Sequence, residues 1–97
     1  MPNKMRPIHP GEILKGELAE LGVSANAFAK ALDVPANRIT AILNEQRSIT
    51  ADTALRLSRF FGTTPEFWMS LQASHDVKRA KQAGWKEIVR TVKPSKI

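Results

Sequence analysis

Cysteine is missing from these 97 residues, which removes a disulfide framework and any cysteine-based zinc site and agrees with a reducing compartment. Long apolar runs are missing too. Nothing approaches the length that spans a bilayer, and the opening Met1-Pro2-Asn3-Lys4-Met5-Arg6 has no apolar core of a secretory leader. Histidine is scarce: His9 and His75 are the two in the chain. They are far apart in sequence, and neither stands in an i, i+4 pair with another ligand type, so no metal site is expected. His9 reads as a helix-start residue and His75 as a surface or packing residue. A nucleophile elbow, a phosphate-cradling glycine loop and a convincing acid–base pair are absent as well. Glu12, Glu17 and Glu20 read as one solvated helix face. These absences point away from an enzyme, a cofactor and the membrane, and toward a soluble, cytoplasmic protein.

What is present makes one domain, large enough for a helical core without staples and too short for two cores. The net charge of +6 is unevenly spread: residues 1–73 hold eight Lys/Arg against seven Asp/Glu, whereas residues 74–97 hold seven against two. Global basicity is therefore weak support for a nucleic-acid partner. The excess sits in a tail carrying Lys78, Arg79, Lys81, Lys86, Arg90, Lys93 and Lys96. Such a tail reads first as a solvated basic segment and second as a phosphate-seeking one.

The most informative stretch runs from Ser24 to Asn44. Ser24 is placed to cap a helix whose inward face is Phe28, Ala29 and Leu32. Asp33-Val34-Pro35 ends it, because proline disfavours helical geometry at Val34 and has no N–H to continue the ladder. A second helix follows, with Ile39, Ile42 and Leu43 at the spacing of a buried stripe. Its other side carries Asn37, Arg38, Thr40 and Ala41, polar and short-chained, as base-edge readout requires. Two readings compete: a helix-turn-helix that presents its second helix to the major groove, and an αα-hairpin serving only as part of a bundle. Small Ala29, which permits close helix approach, leans toward the first.

Three further helices flank this pair. The first of the chain begins at Pro10, turns Ile13, Leu14, Leu18 and Leu21 inward, and stops at Gly22. The fourth is capped by Thr50, lines its core face with Ala54, Leu57 and Phe61, and ends at Gly62. Thr64-Pro65-Glu66 starts a fifth with a hydroxyl cap, a first-turn proline and a carboxylate at the positive end of the dipole. It contributes Trp68 and Leu71 and is expected to end near Gly84. Beyond that glycine, Trp85 to Lys93 alternates like a short strand or forms an extended tail packing Trp85 on the fifth helix. The division expected is an N-terminal arm of residues 1–8, a helical domain of residues 9–83 and a basic tail of residues 84–97.

Four runs carry a family likeness: His9-Pro10-Gly11-Glu12-Ile13-Leu14, Asn37-Arg38-Ile39-Thr40, Arg47 through Leu57 (RSITADTALRL) and Phe60 through Trp68 (FFGTTPEFW). From about Ile8 to Ala80 the chain resembles antitoxins of the HigA/VapI type, a branch of the Xre family of helix-turn-helix repressors. The resemblance implies an all-α, lambda-repressor-like five-helix bundle. It also implies a homodimer that represses its own operon at a palindromic double-stranded DNA operator and neutralises a HigB-type ribonuclease toxin. Two positions depart from the family pattern. Glu45 stands where the turn after the recognition helix usually has glycine, so Asn44 is expected to adopt the left-handed conformation instead. Ala25 stands where related repressors often place a phosphate-touching glutamine.

On this reading the candidate base contacts are Ala36, Asn37, Arg38, Thr40 and Ala41. Asn37 matches adenine N6 and N7, Thr40 offers a donor or a methyl, and the two alanines suit close approach or a thymine methyl. Arg38 fits either a guanine or a phosphate. Ser24, Asn44 and Arg47 are candidate phosphate contacts, which set register rather than read sequence. Phe60, Phe61, Phe67 and Trp68 read as core, with Phe67, Trp68 and Trp85 as candidate dimer contacts. Two other functions stay open: a phage-type repressor with no toxin partner, and a protein-interaction module.

Overall fold

The computed structural model describes residues 6–95 and contains five α-helices in the order expected: α1 (Pro10–Leu21), α2 (Ala25–Leu32), α3 (Ala36–Leu43), α4 (Ala51–Phe61) and α5 (Pro65–Thr91). Their boundaries follow local chemistry. His9 caps α1, its Nδ1 accepting from Gly11 N–H at 2.9 Å. Ser24 caps α2 by accepting from Ala27 N–H at 3.1 Å, and Thr64 caps α5 by accepting from Phe67 N–H at 3.1 Å. Three helices close with the paired bonds that a left-handed residue makes possible. At Gly22 the bonds are Val23 N–H to Leu18 O and Gly22 N–H to Ala19 O. At Asp33 (φ 59°) they are Val34 N–H to Ala29 O and Asp33 N–H to Lys30 O.

The third such closure corrects an expectation. Asn44 keeps φ at −87°, and Glu45 is the left-handed residue at φ 62°. The reason is the bonding pattern: Asn44 N–H still reaches Thr40 O at 3.0 Å, so the turn forms one residue later. Glu45 N–H then reaches Ile42 O and Gln46 N–H reaches Ala41 O.

The core is built from Leu14 and Leu18 of α1, Phe28 and Leu32 of α2, Ile39, Ile42 and Leu43 of α3, Ile49, Leu57 of α4 and Trp68 of α5. Phe61 and Leu71 are half-buried at its margin. Leu21, expected inside, is the last residue of α1 and is 53% exposed. Arg6 forks onto Glu12 through two bonds of 3.0 and 3.1 Å, and Pro7 and Ile8 are half-buried. Residues 1–5 of the expected arm and residues 96–97 of the tail, including Lys96, lie outside the described residues.

The strand or extended tail expected after Gly84 is instead helix, continuous to Thr91 with a kink at Gly84 (φ −156°, ψ 18°). An unpartnered strand leaves its amides bare, whereas a helix satisfies them internally. Side chains one turn apart support the choice. The Lys81 ammonium lies 5.5 Å from the Trp85 ring centroid, Arg90 pairs with Glu87, and Thr91 donates to Glu87 O at 2.9 Å. This half of α5 projects from the bundle and stretches the molecule to 52 Å against 29 and 24 Å in the other directions.

Candidate nucleic-acid interface

Around α3 the buried stripe Ile39–Ile42–Leu43 fixes which residues face out. Asn37, Ala41 and Asn44 lie opposite that stripe; Ala36 and Thr40 flank them on the side of α2, and Arg38 on the side of α4. Ala36, Asn37, Thr40 and Asn44 are exposed, while Ala41 and Arg38 are half-buried. Thr40 Oγ1 donates to Ala36 O at 2.9 Å, which commits its proton. Its remaining lone pairs and its methyl group are what it can offer a base.

Arg38 is not a free cation. Its Nη1 lies 2.7 Å from Asp52 Oδ2, with the guanidinium side chain only 26% exposed. The same carboxylate oxygen accepts from Arg56 Nε at 2.9 Å. Arg56 in turn donates from Nη1 to Leu32 O at 2.9 Å and to Asp33 O at 3.2 Å, the orphan carbonyls at the end of α2. Hydrogen bonds from Arg56 and then Arg38 hold the Asp52 carboxyl below its usual range. The sequence reading missed Asp52 and Arg56 altogether. Asp52 stands fourteen positions from Arg38, too far for helical spacing to connect them, although its i, i+4 relation to Arg56 was there to be read.

The segment carrying Asn44 and Arg47 is tied down from behind. Ile49 N–H donates to Gln72 Oε1 at 2.7 Å, and Gln72 Nε2 donates to Asp76 Oδ1 at 3.0 Å. His9, at the start of α1, is buried as well. Burial and then the nearby His75 lower its pKa from the ordinary value. His9 and His75, distant in sequence, meet edge to face with ring centroids 4.8 Å apart. Among the described residues no group of three or more His, Cys, Asp or Glu is arranged to hold a metal ion, and no helix is long and apolar enough to cross a membrane.

Ser24 is exposed, and its oxygen is occupied by the α2 cap while its hydroxyl proton remains available. Asn26 and Lys30, also absent from the sequence reading, line a surface groove with Val34 and Ala36 between α2 and α3. The aromatic residues divide. Trp68 is 2% exposed and donates its indole N–H to Thr63 Oγ1 at 2.8 Å. It is therefore a core residue, and the expectation of a dimer contact there is corrected: its ring and its polar handle are both already used. Phe67 is 46% exposed and Trp85 49% exposed.

A Helix-turn-helix family model matches residues 14–68, more than half of the chain. An addiction module antidote protein of the HigA family from Coxiella burnetii superposes with a TM-score of 0.91 at 60% identity, over 93% of this chain and 99% of its own. The chain belongs to the helix-turn-helix family, in its HigA antitoxin branch. The Pseudomonas aeruginosa antitoxin HigA, solved with the higBA promoter, superposes with a TM-score of 0.89 at 47% identity, over 92% of this chain and 98% of that one. Virulence-associated protein I of Dichelobacter nodosus is 54% identical over 81 residues, 82% of this chain and 75% of its own.

Proposed function

We propose that this HigA-branch protein is a DNA-binding autorepressor and antitoxin. As a dimer it binds a palindromic operator, and it neutralises a ribonuclease toxin of the HigB type made by a neighbouring gene. The carrying observation is the outward side of α3, where Asn37, Ala41 and Asn44 stand opposite a buried stripe and Thr40 flanks them. That side is short-chained as well as polar, which leaves room for base edges to approach the helix. The P. aeruginosa HigA solved with the higBA promoter supports carrying the role across. In this reading Ala36, Asn37, Arg38, Thr40 and Ala41 meet bases, while Ser24, Asn44 and Arg47 meet phosphates. Phe67 and Trp85, large apolar side chains left in solvent, are assigned to the dimer contact, Trp68 having been withdrawn to the core. The protein works by binding and catalyses no reaction.

Footprinting on DNA upstream of its own gene tests the operator part. Two protected half-sites are expected, with centres about 34–36 Å apart or a multiple of that. Co-expression and pull-down with the adjacent open reading frame tests the antitoxin part: capture of a growth-arresting ribonuclease supports it, and absence of any complex leaves a repressor without a toxin.

A further inference from the structure

The pair Arg38–Asp52 raises a question of chemistry at the edge of the recognition helix. An arginine meant to clamp a phosphate works best with no anion beside it, because the charge it offers is the whole of its attraction. Arg38 instead has a carboxylate at 2.7 Å, and the same carboxylate oxygen is also held by Arg56. Arg56 is itself fixed to the Leu32 and Asp33 carbonyls, so the chain of bonds runs from the end of α2 through α4 to α3. The arrangement uses one N–H of the guanidinium and leaves the others on a side chain whose freedom is already restricted. A neutral base edge presenting two acceptors suffers little from the neighbouring carboxylate, whereas a phosphate would face it directly.

We propose that Asp52 is a positioning residue for sequence readout: it aims Arg38 at the N7/O6 edge of a guanine in the operator half-site and disfavours a phosphate there. This rests on α3 entering the major groove, as proposed above. Asp52 acts through Arg38, and its own charge opposes non-specific attraction to DNA. Removing that charge therefore acts with opposite signs on two classes of DNA.

The test compares wild type, Asp52→Asn, Arg38→Ala and the double variant by selection from randomised operators and by affinity for operator and scrambled duplexes at fixed salt. With Asp52→Asn, preference for guanine at one position per half-site should flatten. Operator affinity should fall about tenfold, the lower range for losing a well-aimed bidentate contact, while scrambled-duplex affinity holds or rises. Arg38→Ala should lose preference at that same position, and the double variant should be no worse than Arg38→Ala alone. Asp52→Glu should restore part of the preference. Thermal melts of each variant exclude unfolding as the cause. The proposal is overturned if Asp52→Asn weakens both DNAs equally. It is also overturned if Arg38→Ala keeps every base preference and only flattens the salt slope by about 0.9, as loss of one phosphate contact would. Either result leaves α3 in the groove; a wild-type protein with no preference among the randomised operators overturns the groove reading itself.

Discussion

Gly11→Ala should destabilise the packing that positions the recognition helix, although it adds only a methyl group. Gly11 is buried in the first turn of α1. A Cβ added there would lie 2.0 Å from Ile42 O and 2.9 Å from Ile42 C, inside any tolerable contact. Neither opposing atom is a flexible tip. The Ile42 carbonyl belongs to the last turn of α3 and already accepts from Glu45 N–H at 2.9 Å, so α3 cannot retreat without opening its own closing turn. On the other side Gly11 N–H is held by His9 Nδ1. Overpacking of this kind costs about 1–3 kcal/mol, and backbone against backbone belongs at the upper end. For a domain of this size that corresponds to a melting midpoint lower by roughly 10–20 °C. Gly16, further along the same helix, has open space where a Cβ would stand, with no atom within 4 Å. Gly16→Ala should therefore stabilise, by about 0.5–1 kcal/mol, through helix propensity alone. Thermal and urea melts followed by far-ultraviolet circular dichroism give both values. The reasoning fails if Gly11→Ala melts within about 0.5 kcal/mol of wild type, a change ordinary for an uncrowded surface site, or if both variants shift in the same direction.

Two further outcomes follow from single residues. Glu45 at φ 62° carries the steric penalty of a left-handed L-residue, so Glu45→Gly should raise stability by about 0.5–1 kcal/mol in urea titration; a loss would mean its side chain makes a contact that outweighs the strain. His9, lowered by burial and by His75 from an ordinary value of 6.5, stays neutral in the fold at a pH where the unfolded chain is protonated. Its contribution is full above about 6.5 and declines as pH falls from there toward the folded pKa. His9→Asn keeps a capping side chain without the titration, so its stability should fall less than wild type between about pH 7.5 and about pH 5.5; equal losses in both proteins would assign the acid sensitivity elsewhere.

What could be read in the sequence was what nearest neighbours decide. Ser24, Thr50, Thr64 and Pro65 mark helix starts through bonds a few residues long, and Gly22 and Gly62 mark ends through their own backbones. The stripe Ile39–Ile42–Leu43 fixed the outward side of α3 by period alone. Contacts that depend on how helices pack were not legible: His9 against His75, Gln72 beneath Ile49, and Asp52 on Arg38. The tail misled through composition. Ile88 and Val89 favour strands as residue types, but with no strand beside them among the described residues the Glu87–Arg90 and Lys81–Trp85 pairs and internal backbone bonding make helix the better state. Trp68 and Phe67 are adjacent aromatic residues of one helix, and only the packed structure separates the core residue from the exposed one.

Base reading by α3 is the central claim. Equilibrium binding to the DNA upstream of its own gene and to a scrambled duplex of equal composition, at one fixed salt concentration, tests it most directly when wild type and Asn37→Ala are measured together. The wild type should prefer its operator by at least about a thousandfold. Asn37→Ala should lose about 1–3 kcal/mol on the operator and almost nothing on the scrambled duplex. Equal wild-type affinity for the two duplexes, or an Asn37→Ala loss of the same size on both, would contradict it.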